Sequence, residues 1–443
     1  MWINLAHVCG TWRSIVFTSS SRLDLGITIG PIKPCHIKTI LSGPLPIFID
    51  YKDVGRLLGS AFWRMRAALK QHDRVREISI DRMGAKFDKF FKETQCAFPA
   101  LKSLSICFRY DYKPKLPDTF LRGRDPSNLC LRRLKLERTS LASISGFLLS
   151  ATALTNLSLQ IDTAFGPSAE TSLLACLQGM PCLRHLYLSL SYRSVSQPLT
   201  SGPKDIVLLS RLTWFRVVGH SIFLDALVAG FSAPSLRDVD LTFLNRLSPL
   251  IVHLPRFINE IKEHYHAVHV VFQGWQSYIW LLTRSEYDNH CAPRFKFGPV
   301  LILLSELIIQ MSSALSARLT TVEELRVTFS GTDAGDWDSI PWRGFFHRFP
   351  NVKAIRTEGR NSSCCIARTL FQDHGEPDDY LAFLPALEEV ELGKDPSRTP
   401  ESQSGPELAT FQPFISARQR AGRPVKVLFS PQLESVGYVV DEL

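Results

Sequence analysis

Long apolar runs are scarce in this 443-residue chain. The most apolar stretch, VLILL at 300–304, is stopped by Ser305 and Glu306, far short of a bilayer span. No charged-then-apolar leader opens the chain, so no signal peptide is expected. Catalytic signatures are missing too. There is no G-x-G-x-x-G after a strand pattern, no Walker A loop, no H-E-x-x-H and no G-x-S-x-G. Ten cysteines are present without one C-x-x-C, which removes the usual zinc and redox spacings. Most sit on apolar phrases, as Cys9, Cys107, Cys176 and Cys182 do, and read as reduced, buried small hydrophobes of an intracellular protein. Cys364 and Cys365 form an adjacent pair in a loop-like stretch.

The remaining metal candidate is HYHAVHVV. As a strand it puts His264 and His266 on one face and His269 on the other, so no ligand set closes. No catalytic residue, cofactor or metal is expected. Acidic residues are thin in the first third. Residues 1–138 carry 25 Lys+Arg against 12 Asp+Glu, a net +13, while the remainder carries 26 against 30, a net −4. No zinc-finger spacing or aromatic-interleaved basic motif goes with that excess. A solvated face or an acidic protein partner fits it better than nucleic acid.

What the chain does have is repetition. MPCLRHLYLSL (180–190) contains L-x-x-L-x-L two residues after a proline. The phrase returns as FPALKSLSI at 98, APSLRDVDL at 233, FPNVKAIRT at 349 and LPALEEVEL at 384. Copies without proline stand at 75, 131, 154, 212 and 322. The ten phrases start 23 to 35 residues apart, except for one interval of 86 between 236 and 322. That period is the one of leucine-rich repeats. The long interval is expected to hide two degraded units, at HAVHVVF (266–272) and RFKFG (294–298).

Each phrase alternates like a half-buried strand. Proline suits the strand start, because it has no amide hydrogen for the ladder. Between phrases lie helical patterns: Leu173, Leu174 and Leu177; Leu224, Leu227 and Val228; Phe345, Phe346 and Phe349. One strand and one helix cannot bury their apolar sides alone, so the units must stack. The expected fold is an α/β leucine-rich-repeat-like solenoid, a horseshoe with a mostly parallel inner sheet and outer helices. Residues 71–430 would form it, after a connecting and capping segment at 26–70 and before a tail at 431–443.

Residues between the leucines face away from the core. This places Arg133, Lys135, Asn156, His185, Tyr187, Trp214, Arg216, Asp238 and Asp240 on the concave face as candidate target-binding residues, flanked by Ser103 and Thr242. Tyr, Trp and Arg are the residue types that dominate binding hot spots.

The N-terminal stretch INLAHVCGTWRSIVF spaces Leu5, Val8, Cys9, Trp12, Ile15 and Val16 at helical intervals. Read from residues alone, it is an amphipathic helix capping the solenoid. Its phrase L-x-H-V-C-x-x-W-R-x-I-V-F-x-S, followed by R-L-D-L, resembles the second half of an F-box. PLPIFIDY (44–51), HDRVREISI (72–80), LLSATALTNLSL (148–159), SAPSLRDVDLTF (232–243) and FISARQRAGRPV (414–425) extend the likeness. Together they resemble the F-box and leucine-rich-repeat proteins of mushroom-forming fungi.

That resemblance implies a substrate-recognition subunit of an SCF-type ubiquitin ligase, itself non-catalytic, in cytoplasm or nucleus. Residues 1–25 would be the F-box-like segment. Leu5, Val8, Cys9, Trp12 and Val16 would meet the ligase's adaptor subunit, and the repeats would hold an unidentified target protein. Family F-boxes open with L-P-x-D/E-V/I-L-x-x-I-F, and here Met1 stands almost directly before the V-C-x-x-W-R helix. The expectation is therefore an F-box truncated at its N-terminus with weakened adaptor docking. A stand-alone repeat scaffold without a ubiquitin role is the alternative. No nucleic acid and no membrane are expected as partners.

Overall fold

The structure is a computed structural model. It describes residues 45–52, 58–83, 94–109, 130–162, 167–190, 206–244, 252–261, 265–273, 276–282, 294–297, 316–330, 342–358, 384–393 and 405–430, the pieces 9–11 and 27–29, and residues 14, 90, 116, 120, 121 and 366. Leu5, Val8, Trp12 and Val16 fall outside them, as do His264, Cys364 and Cys365. The chain is α/β with a mostly parallel sheet and divides into two compact units. The first holds residues 1–215 and 230–235, the second 216–229 and 236–443.

In the first unit the strands follow chain order: β1 (Ile27–Ile29), β2 (Ile47–Lys52), β3 (Val75–Met83), β4 (Ser103–Phe108), β5 (Arg133–Thr139), β6 (Asn156–Ile161) and β7 (His185–Leu190). Each pairs in parallel with the next. Two of these strands lie within residues 26–70, the segment expected to connect and cap. Helices α1 (Leu58–Leu69), α2 (Leu141–Leu149) and α3 (Pro167–Gln178) fill intervals between strands, and α2 packs on α3. A small parallel pair, β8 (Val207–Leu208) with β10 (Phe231–Ser232), completes this unit. Strand β9 (Trp214–Gly219) gives it Trp214 and Phe215.

The leucine triplets behave as their spacing requires. Leu157 and Leu159 are register partners of Leu186 and Leu188, and all four are buried with Leu154 and Leu183. Leu173, Leu174 and Leu177 are buried as well.

The proline has a more specific role than a strand start. The Leu183 N–H donates to the Met180 carbonyl at 3.1 Å, closing a β-turn with Pro181 at its second position. Phe98 with Leu101, Phe349 with Val352 and Leu384 with Leu387 close the same turn around Pro99, Pro350 and Pro385. Proline is favoured there because its fixed φ suits the second residue of such turns. Copies without proline make the turn too, Ala151 to Leu154 and Leu209 to Leu212 among them. After the turn, one carbonyl receives two amides from the next unit. Arg132 O accepts from Thr155 and Asn156, and Arg184 O from Thr213 and Trp214.

In the second unit the strand order is β9, β11 (Asp238–Phe243), β14 (Arg294–Phe297), β13 (Gln276–Leu282), β12 (Ala267–Gln273), β15 (Glu324–Ser330), β16 (Ala354–Glu358), β17 (Glu389–Gly393) and β18 (Lys426–Ser430). The suspected units in the long interval are strands, but they do not stack as two repeats. Strand β12 is parallel to β15, β14 is parallel to β11, and β13 runs antiparallel between them. The interval holds a hairpin insertion rather than degraded repeats.

Helices α4 (Ser221–Ala229), α5 (His253–Glu260), α6 (Ser316–Leu319), α7 (Trp342–Phe346) and α8 (Gly405–Arg420) accompany these strands. The Asp225 carboxylate on α4 accepts the amides of Val252, His253 and Leu254. It thereby satisfies donors that the start of α5 leaves open. Arg418 is buried on α8 and donates to the carbonyls of Leu384 and Leu387, pinning the helix to the turn before β17.

Candidate functional site: the outward sheet residues

Register aligns the outward residues of the first unit into rungs. One reads Glu77, Ser103, Arg133, Asn156, His185, and the next Ser79, Ser105, Lys135, Ser158, Tyr187. Arg133, Lys135 and His185 are exposed, Asn156 and Tyr187 half-buried, and Ser103 buried. Trp214 is half-buried with its ring 6.2 Å from that of His185, tilted by 45°. Arg133 meets Glu77 at 3.5 Å and Lys135 meets Glu137 at 2.7 Å. The Arg133 pair is exposed and contributes little to stability, whereas Glu137 of the Lys135 pair is half-buried. Burial, and then the Arg184 charge, push the His185 pKa down.

Arg216, Asp238 and Asp240 belong to the second unit. There Arg216 Nε stands 3.2 Å from an Asp240 oxygen, as a charge pair rather than an aligned hydrogen bond. Thr242, also counted outward, is buried. Tyr187 and Trp214 fall in the first unit and Arg216 in the second.

The second unit also carries a polar network that the sequence pattern does not single out. Glu324 accepts charge from Arg326 at 2.8 Å and Arg356 at 3.1 Å, and Arg356 reaches Glu391 at 3.3 Å. Beside it the Thr328 hydroxyl donates to Glu358 at 3.2 Å and lies 2.8 Å from His269 Nε2. With the hydroxyl hydrogen spent on Glu358, Nε2 carries the proton and donates to Thr328. A signal is present in VEELRV, VKAIRTE and LEEVEL, whose outward positions are Glu324, Arg326, Arg356, Glu358, Glu389 and Glu391.

His269 is 3% exposed, and burial, followed by the Arg326 charge, pushes its pKa down to about 3. The folded chain holds this imidazole neutral, while the unfolded chain protonates it below about pH 6.5. The unfolded state then binds more protons, so stability falls as pH drops from about 6.5 toward 3. Between pH 6.5 and 5 the loss from this group is on the order of 2 kcal/mol. Urea unfolding at pH 7.5 and pH 5 should show it, and His269→Gln should reduce the drop by that amount. Equal drops in both proteins would assign the pH dependence elsewhere.

Among the described residues no group of three His, Cys, Asp or Glu side chains could hold a metal ion. His266 is instead 3.6 Å from Glu323. The thiols of Cys107 and Cys176 are pushed up to about 11, mainly by burial. Cys176 is the fully buried one; Cys107 and Cys182 are half-buried, and Cys9, expected to be buried, is exposed. No described helix is long and apolar enough to cross a membrane. No protein-family model matches the chain, and no curated protein matches it.

Proposed function

We propose that the chain is a leucine-rich-repeat-type recognition protein, the target-holding subunit of an SCF-type ubiquitin ligase, working in cytoplasm or nucleus. The observation that carries the recognition role is the register-aligned outward face of the first unit. Its rungs place Asn156, His185, Tyr187 and Trp214 side by side on a rigid parallel sheet. Side chains locked on strands make a preorganised surface, which lowers the entropic cost of binding. The ligase assignment rests on the F-box resemblance of residues 1–25, where Cys9 is exposed.

The test is the double variant Tyr187→Ala, Trp214→Ala in the full chain, used as bait in a fungal lysate beside the unchanged protein. Both side chains are half-buried, so the variant should still fold, at a cost of about 1 kcal/mol. Target capture should fall by about 2 kcal/mol, roughly 30-fold, if a hot spot is removed. Adaptor docking, weakened by the incomplete F-box, should be the same for both proteins. Full-strength capture by a folded variant overturns the assignment of the face. Captured targets without adaptor leave the stand-alone scaffold.

A further inference from the structure

From β4 to β7 the strand starts of the first unit carry one sign of charge, whereas the start of β3 holds Asp73 and Glu77 beside Arg74 and Arg76. A chain of backbone hydrogen bonds runs across them: Lys102 N–H to Arg76 O, Arg132 to Lys102, Thr155 to Arg132, Arg184 to Thr155 and Thr213 to Arg184. These residues therefore occupy equivalent places on successive strands, about 4.8 Å apart. Lys102, Arg132 and Arg184 are exposed, and Arg211 is exposed in the turn before Thr213. The stretches 98–103, 130–134, 151–156, 180–186 and 209–214 contain these cations and no Asp or Glu at all. Lys102, Arg132 and Arg184 pair with no carboxylate among the described residues.

The second unit offers an internal comparison. There the same places hold Glu323, Lys353, Glu388 and Lys426, linked by the same hydrogen bonds. The signs alternate, and Lys353 meets Glu323 at 3.5 Å. That edge neutralises itself, whereas the first unit keeps a row of like charges from Lys102 to Arg184. Neighbouring like charges repel, so the row costs stability that an anionic partner would return.

We infer that the strand-start edge of the first unit is a docking ledge for an acidic, extended segment of a partner protein. This rests on the recognition reading above and names the chemistry of its target. From Lys102 to Arg184 is three strand steps, about 14 Å. An extended peptide covers that length in four to five residues at about 3.3 Å each. Long, exposed Lys and Arg side chains accommodate such spacing. Single-stranded nucleic acid would require stacking platforms along the groove. Here the ring pair His185 with Trp214 stands at one end, and at the other His72 meets Phe98, which is fully buried.

The experiment uses the full chain and three fluorescein-labelled probes: a 12-residue peptide of alternating Glu and Ser, its Gln-Ser counterpart, and a 12-nucleotide oligothymidine. Anisotropy at low salt should show the Glu peptide binding at least tenfold more tightly than the Gln peptide and the oligothymidine, with affinity falling as salt rises. The variant Lys102→Glu, Arg132→Glu, Arg184→Glu should lose at least tenfold. Lys426→Glu, at the same place in the second unit, should change binding less than twofold. If the Glu variant fails to fold, the Gln version of the three substitutions reads the same loss.

Equal binding of the Glu and Gln peptides overturns the ledge, as does an unchanged affinity in the folded triple variant. Tighter oligothymidine binding also overturns it, in favour of nucleic acid. The two readings fail separately. Targets lost from the Tyr187 and Trp214 variant, with no Glu-peptide binding, leave the recognition face standing without the ledge. Glu-peptide binding lost only in the triple variant, with capture unchanged at Tyr187 and Trp214, leaves the ledge without that face.

Discussion

Phe147→Ala should destabilise the first unit by about 3–5 kcal/mol, the range for deleting a buried aromatic ring. Phe147 sits on α2 with no exposed surface. Its ring meets Phe120 edge-on at 5.6 Å, and Phe120 meets Phe90 at 6.4 Å. Removing it opens a cavity bounded by the helix and those two rings. Helix α2 is also held to α3 through the Cys176 thiol, which donates to the Ser145 carbonyl. That tether restrains α2 from sinking into the gap, so the cavity term should persist. Urea unfolding followed by circular dichroism gives the number. Phe147→Leu should cost less than half as much, because most of the volume stays filled. A loss below 1 kcal/mol for the alanine variant would mean that the ring is not part of a close-packed core.

Glu324→Ala should be of similar size in the second unit, about 3–5 kcal/mol, for an electrostatic reason. The Glu324 side chain is 8% exposed and neutralises two guanidiniums, those of Arg326 and Arg356. Without it, Arg356 retains Glu391, and Arg326 lies beside the neutral His269 across β12 and β15. Taking a carboxylate away from two largely buried guanidiniums is what makes breaking such a network costly. Replacing Glu324, Arg326, Arg356 and Glu391 together by apolar residues of similar volume should therefore destabilise less than Glu324→Ala alone. If the single variant unfolds at the same urea concentration as the unchanged protein, water already solvates these groups.

Much of the strand layout is legible in the sequence because its signal is local. L-x-x-L-x-L places alternating side chains on two faces whatever the neighbours are, so the spacing alone assigns Leu183, Leu186 and Leu188 to the buried side. Turn chemistry is also local, yet the pattern presents Pro181 as opening a strand when it stands inside a turn closed by Met180 and Leu183. The hairpin between β11 and β15 is out of reach for a different reason. HAVHVVF and RFKFG read as strands, but their neighbours depend on where QSYIWLL runs, and that segment carries no repeat phrase. In the outward face, alternation identifies Tyr187 and Trp214. The network of Glu324, Arg326, Arg356 and Glu391 depends on which strands pair and in what register.

The insertion of β13 and β14 has a consequence for how such a chain can lengthen. A row of parallel strands accepts an added strand without a crossover helix only if the newcomer runs backward. A second added strand then restores the original direction. Strands β13 and β14 meet that condition: β14 is again parallel to β11, and β12 remains parallel to β15. The chain thus has two modes of growth. One is duplication of a strand-and-helix unit of about thirty residues, which carries its own core. The other is interior addition of an even number of strands, which needs only a hairpin and leaves every flanking repeat facing the way it did before.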